Sequence, residues 1–224
     1  MIVLDDFIKD KNLFNEIISN KNFFLESMGD DKQIAFKLNS YHKEDSPYYS
    51  PFMFWDGWWR SSTNTLKKKI IKKIWENNID YPLEDILGFE YWTRTYSAGQ
   101  FLDFHVDQDS FRYEKDKTFI GGVNGSVYYG IDNPNGGFLE IHKNTIKDGS
   151  KNSLERENIL KYISPKDEME RIAYKGNRLI IFDSGHTIHN TTPATSGIRQ
   201  VLVVNVWHKD NPPLALSNGS FYYE

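Results

Sequence analysis

The stretch FLDFHVD, residues 101–107, alternates strictly, with Leu102, Phe104 and Val106 on one face and Phe101, Asp103, His105 and Asp107 on the other. A period of two is that of a half-buried strand, because successive side chains leave a strand on opposite sides. Strand patterns surround it. FEYWTRTY (89–96), SVYYGI (126–131), FLEI (138–141), RLIIFD (178–183) and IRQVLVVNVW (198–207) are rich in β-branched and aromatic residues. In the last two the apolar residues lie on both faces, which predicts strands covered on both sides. DNPNGG (132–137) reads as a turn. Short strands broken by Gly- and Pro-bearing turns favour a sandwich or jelly roll fronted by helices.

Those helices are expected in the amino-terminal part. IVLDDF (2–7) reads as a short strand, while Leu13 to Phe24 and Leu66 to Trp75 space their apolar residues as helices do. The five lysines of the second helix are expected on its other, solvated face. An aromatic patch, YYSPFMFWDGWW (48–59), separates the two helices. Residues 143–175 are polar, with a candidate short helix at 153–162. The whole chain, 1–224, reads as one domain, with a helical buttress over about 1–88 and a β core over about 89–208.

With 224 residues and 39% hydrophobic content the chain can bury a proper core. A net charge of −4 gives no general pull toward nucleic acid or acidic membrane. There is no cysteine, which excludes disulfides, zinc–thiolate sites, iron–sulfur clusters and thiol catalysis. Any metal must therefore sit on His, Asp, Glu or backbone oxygen. MIVLDDFIKDKN lacks the basic and apolar regions of a signal peptide. The longest apolar runs, at 179–182 and 201–204, fall far short of the ~20 residues of a membrane helix. The expectation is a soluble, cytoplasmic protein with no membrane partner.

His105 and Asp107 share a strand face, and a charged pair facing inward needs a reason. Two adjacent ligands leave half of a metal's sphere open. A third ligand, if it is His, completes the two-His-one-carboxylate set of non-haem Fe(II) oxygenases, whose open positions admit substrate and oxygen. The segment FDSGHTIHNTTPATSGIR (182–199) offers His186 and His189 as that third ligand. They are three apart, so on an extended strand only one can reach the metal. Arg199 opens a strongly apolar strand, where its planar fork suits a carboxylate. Taken alone, the residue reads first as the partner of a structural Asp or Glu and second as an anion binder. Asp103 shares the face of His105 as a candidate orienting partner or a plain surface acid. His42, His142 and His208 read as ordinary surface or hydrogen-bonded histidines.

The series Tyr96-x-x-Gly99-Gln100-Phe101, His105-x-Asp107, Gly136-Gly137-x-Leu139, Asn177-Arg178-Leu179-Ile180-Ile181-Phe182 and His189-x-x-x-Pro193-x-x-x-Gly197-x-Arg199 resembles the 2-oxoglutarate/Fe(II)-dependent oxygenase superfamily, in its prolyl 4-hydroxylase-like branch. The opening IVLDDFI is similar to the start of such domains. The resemblance implies a double-stranded β-helix, a jelly roll of cupin-like topology. It implies iron on His105, Asp107 and His189, with the Pro193 and Gly197 spacing favouring His189 over His186. It places Arg199 on the far carboxylate of 2-oxoglutarate, in a position where the branch often carries Lys. Tyr96 and Tyr129 match residues lining the cofactor pocket, with Tyr128 the alternative to Tyr129 if the register slips. The implied reaction is hydroxylation of a C–H bond by O2, with 2-oxoglutarate converted to succinate and CO2 and ascorbate as a stimulant. A prolyl residue in a peptide or protein is the favoured substrate. A free amino acid, another small molecule or a nucleobase stays open, as does a cupin-like binding protein without activity. The segments 109–118 and 143–175 are expected to flank the site, with Phe111, Arg112 and Tyr113 as a substrate-reading surface and the patch around Trp55, Trp58 and Trp59 as the alternative.

Overall fold

The computed structural model describes residues 1–20, 23–24, 35–36, 53–56, 65–76, 78, 81–130, 134–147 and 168–213. In chain order the elements are β1 (Ile2–Leu4), α1 (Lys11–Ser19), β2 (Ala35–Phe36), β3 (Met53–Asp56), α2 (Leu66–Glu76), β4 (Ile86–Ser97), β5 (Leu102–His105), α3 (Ser110–Asp116), β6 (Asn124–Tyr129), β7 (Asn135–Gly136), β8 (Leu139–Thr145), β9 (Met169–Ile172), β10 (Leu179–Phe182), β11 (Thr187–Thr191), β12 (Ala194–Ser196) and β13 (Ile198–His208).

Two antiparallel sheets face each other. The larger runs β1-β10-β6-β13-β4-β3-β2 and the smaller runs β5-β11-β8-β9, with β12 and β7 forming a separate pair. Its spine is the long pairing of β13 with β4, from Ile198↔Ser97 to His208↔Ile86. Alternation along these strands builds two cores at once. Leu202, Val204, Tyr128, Leu179 and Ile181 turn outward onto Ile70, Ile71, Ile74 and Trp75 of α2 and Ile17 of α1. Val201, Tyr129, Ile180 and Phe182 turn inward onto Leu139, Ile141 and Ile172 of the smaller sheet. Each such side chain contributes roughly 1.5–3 kcal/mol by burial. The larger sheet is therefore covered on both faces, and the architecture is a double-stranded β-helix, a jelly roll with helices on one side.

The glycine pattern fits the turns. Gly136 and Gly137 take φ of 80° and 75°, which bends the chain from β7 into β8, and Gly197 at φ 77° turns β12 into β13. Asn177 also adopts a positive φ, of 59°. Its side-chain oxygen accepts from Ile8 N and from the Tyr128 hydroxyl, which pins the amino-terminal segment to the turn before β10.

Several expectations need correction. The first helix ends at Ser19, where the expected one ran to Phe24. Lys68 is buried, so the lysines of α2 do not all occupy a solvated face. β9 lies within the stretch taken as polar irregular chain, paired with β8 from Leu139↔Ile172 to His142↔Met169. The segment 109–118 is not an open loop: α3 occupies it, with the Asp109 carboxylate accepting from Arg112 N at its start and Lys117 closing it in the left-handed region. Tyr113 packs with Val106, Phe119, Ile146 and Ile188, and Arg112 donates to the Pro212 carbonyl. Neither is a free reading surface, and replacing Tyr113 would strike the fold. The side chains of Phe111 and Trp55, together with Trp58, Trp59, His42 and the candidate helix at 153–162, lie outside the described residues. His142 is neither exposed nor hydrogen-bonded; it is buried with its ring edge on Phe104 and both nitrogens unpartnered. His208 does accept a hydrogen bond, from Asp210 N. Among the described residues no helix is long and apolar enough to cross a membrane.

Candidate metal centre and anion pocket

β11 pairs with β5 so that His189 stands opposite His105. The ring centroids are 4.1 Å apart, and Asp107 Oδ1 lies 3.7 Å from His105 Nε2 and 3.9 Å from His189 Nε2. Ligand atoms of the three residues all fall within 4.8 Å of one another. Asp107 follows the end of β5 and is fixed by its own amide, which donates to the Ser184 carbonyl.

Both imidazoles are oriented by backbone. His105 Nδ1 lies 2.6 Å from the Asp103 carbonyl and His189 Nδ1 lies 2.8 Å from the Thr187 carbonyl. A carbonyl only accepts, so each Nδ1 carries a hydrogen and each ring turns its Nε2 toward Asp107. Burial pushes the His189 pKa down to about 4, with the neighbouring His105 adding to the shift. His189 is thus neutral at physiological pH, the state a metal ligand requires. The orienting contribution of Asp103 comes from its main chain; its carboxylate accepts from Phe104 N. His186 stands apart, with Nδ1 2.8 Å from Asp183 Oδ1 and its ring against Phe119.

The alternation around His105 departs from the expected pattern at Leu102. Phe104 and Val106 do face away, into the cluster with Phe119. Leu102 instead lines the same pocket as His105 and Asp107. The cause is a register shift: β5 advances from Leu102 to His105 while β11 runs only from Thr191 to His189. Such a bulge flips the side-chain phase on one strand.

The same pocket is lined by Tyr96, Tyr129 and Arg199. Arg199 pairs with Tyr96 across the β4–β13 ladder, and its guanidinium sits 4.1 Å from the Tyr96 ring centroid. Arg199 is 2% exposed, and among the described residues no carboxylate pairs with it. Its Nη2 donates to Thr191 Oγ1 at 3.0 Å, its Nη1 approaches the Thr192 carbonyl at 3.5 Å, and its Nε is buried without a partner. Tyr129 stacks on Tyr174, and its buried hydroxyl also lacks a partner. Burial raises the Tyr129 pKa to about 12, so that hydroxyl stays protonated and can donate. Tyr128 lies on the opposite face, its hydroxyl on Asn177. Two imidazole lone pairs and a carboxylate at one place, with unspent donors of Arg199 and Tyr129 in the same cavity, fit a divalent metal together with an organic anion.

Glu90 and Thr191 escape the sequence motifs. For Glu90 the available signal was an acid between two aromatics in FEYW (89–92). Its carboxylate accepts from Trp207 Nε1 at 3.2 Å, and burial, the largest cause, raises its pKa to about 8. A carboxyl with a raised folded pKa stabilises the fold fully below its unfolded pKa, and that stability is lost as pH climbs toward the folded value. Glu90→Gln should therefore match the parent near pH 4 and exceed it in melting temperature by several degrees at pH 7–8, since 1 kcal/mol moves Tm by roughly 2–4 °C in a domain of this size. Parallel melting curves across that pH range would show that Glu90 is not held neutral.

No family model and no curated protein matches the chain. Solved structures do. A prolyl hydroxylase from Trichoplax adhaerens, in complex with a hypoxia inducible factor oxygen degradation domain peptide fragment, superimposes over 96% of this chain and 86% of its own, at 16% identity and a TM-score of 0.53. The chain shares the fold of that protein. A Pseudomonas putida prolyl-4-hydroxylase matches at 20% identity over 58% of this chain, with a TM-score of 0.38. A 2OG-Fe(II) oxygenase family oxidoreductase from Burkholderia pseudomallei matches at 11% identity over 67%, with a TM-score of 0.37. The aligned part spans 57% and 56% of those two proteins' lengths. In this fold the His105, Asp107 and His189 cluster lies between the two sheets, at the end of β5.

Proposed function

We propose that the chain, as a single domain, is an Fe(II)- and 2-oxoglutarate-dependent dioxygenase that hydroxylates a C–H bond, with a prolyl residue of a peptide or protein as its substrate. The observation that carries this reading is the pairing of the His105, Asp107 and His189 cluster with an uncompensated Arg199 in one cavity. A zinc hydrolase site needs the ligands; it does not need a buried guanidinium awaiting an anion. When bound, iron and 2-oxoglutarate would supply the means to use O2 as the oxidant, one oxygen atom entering succinate as the 2-oxo acid loses CO2 and the other entering the substrate as hydroxyl.

The chain's own residues bind and orient. His105 and His189 offer Nε2 and Asp107 offers its carboxylate, which leaves the remaining metal positions open toward the cavity. Arg199 and Tyr129 take the far carboxylate, and Tyr96 backs the guanidinium. Leu139, Phe182, Val201 and Val203 wall the cavity with apolar surface, which keeps water from the reacting centre. The peptide bound to the Trichoplax protein supports a peptide substrate for this fold.

Purified protein with Fe(II), ascorbate and 2-oxoglutarate should release succinate slowly, and a proline-rich peptide should accelerate it. A chelator or zinc should abolish turnover. Iron demonstrably bound with no succinate from any candidate peptide, amino acid or nucleobase would leave a binding protein without activity.

A further inference from the structure

The inner face of the larger sheet turns polar at one corner. Along β13 the inward positions run Val201, Val203 and then Asn205, which stands opposite Glu90 of β4 on one side and Gly125 of β6 on the other. Glu90, Asn205 and Ser184 are all buried there. The Asn205 carboxamide oxygen accepts from the Ser184 hydroxyl at 3.2 Å. That leaves the carboxamide NH2 for Glu90, with which Asn205 is also hydrogen-bonded. Trp207 Nε1 donates to the same Glu90 carboxyl. Gly125 is a requirement of this arrangement, because a Cβ at that position would collide with Ser184 Oγ and Asn205 Oδ1. A buried polar network is tolerated only when its members satisfy one another, and an apolar corner would be simpler to build. This network ends on the metal centre. The Ser184 carbonyl accepts from Asp107 N at 2.9 Å, and Ser184 lines the cavity with Asp107 and both imidazoles. His105 and His189 are held opposite each other in a strand ladder. Asp107 lies beyond the end of β5, and the Ser184 carbonyl holds it where the ladder does not.

We propose that Ser184 and Asn205 are positioning residues for the metal ligand Asp107. The Asn205 carboxamide, anchored on Glu90, locks the Ser184 side chain, and the Ser184 carbonyl so fixed sets where the Asp107 carboxylate meets the two imidazole nitrogens. Neither residue touches the metal; both act through Asp107. This inference rests on the metal-centre part of the reading above and is independent of the substrate. Partners that orient a ligand from outside tune the affinity of a site without changing its ligand set.

The test is titration of the metal-free full chain with Cu(II), read by calorimetry and by electron paramagnetic resonance. Cu(II) is the probe because it heads the divalent series in affinity for such sites, so two imidazoles should hold it even without the carboxylate. Ser184→Ala removes one oxygen, and Asn205→Ala removes the carboxamide. Each should weaken Cu(II) by about ten-fold in the otherwise unaltered chain, the lower end of what loss of an outer partner costs. In an Asp107→Ala background each should change the affinity by less than about two-fold, because a residue that acts through Asp107 has nothing left to act on. The Cu(II) spectrum of Ser184→Ala should also move toward that of Asp107→Ala. Equal losses in the two backgrounds would mean that the network braces the fold at large, and would overturn the proposal. Parent-like affinity and spectrum in Ser184→Ala would overturn it as well, whether or not Asn205→Ala folds. A parent chain that holds Cu(II) no better than Asp107→Ala would instead remove the metal-centre reading, and this inference with it.

Discussion

His189→Ala should lose iron outright, while His186→Ala should hold it. The two histidines are three residues apart, but only His189 brings its Nε2 to within 3.9 Å of Asp107 and faces His105 across the strand pair. His186 is engaged with Asp183 at 2.8 Å. Removing an outer partner of a metal ligand typically costs about 10–100-fold in metal affinity, so deletion of the ligand itself should exceed ~100-fold. The effect should be local to the metal, because the backbone bond from Nδ1 to the Thr187 carbonyl is the only other polar contact the His189 ring makes among the described residues. Metal titration of the two variants, with circular dichroism to confirm folding, checks the expectation. Iron retained by His189→Ala and lost by His186→Ala would reverse the assignment.

That choice of histidine was legible in the sequence only through the motif order, because spacing alone says that one of the two points inward and not which. The strands were legible wherever packing is repeated. Leu179–Phe182 and Ile198–His208 are apolar on both faces because helices lie on one side and the second sheet on the other. β9 was not legible, since MERI (169–172) exposes three of its four residues and stands at the sheet edge. α3 was hidden by the same polarity: its cap, Asp109, and its anchor, Tyr113, gain meaning only from Phe119 and Ile146, which no local pattern brings near. The bulge that turns Leu102 into the cavity is a property of two strands together and leaves no mark on either alone. His142 fell to the same limit, its burial decided by the packing of β8 against Phe104.

Replacement of Arg199 should separate anion binding from metal binding. Arg199→Ala should raise the 2-oxoglutarate requirement by roughly ten-fold or more, since hydrogen bonds to charged groups are worth ~1.5–3 kcal/mol. Iron affinity should change little, because Arg199 touches Thr191, Thr192 and the Tyr96 ring and none of the metal ligands. A buried guanidinium with no carboxylate is a cost to the ligand-free fold, and a bound dicarboxylate relieves it. Arg199→Met, which keeps much of the apolar stem, should then leave the ligand-free melting temperature equal or higher. It should also erase about half or more of the rise that 2-oxoglutarate gives the iron-loaded parent. For the parent that rise follows RT ln(1 + [L]/Kd), about 2.7 kcal/mol at a hundred times Kd, and a ten-fold weaker Kd cuts it to about 1.4 kcal/mol. At 2–4 °C per kcal/mol the difference is readable in a thermal shift series. A variant that melts lower without ligand yet gains as much from 2-oxoglutarate as the parent would show that Arg199 is a packing residue and that the anion is held elsewhere.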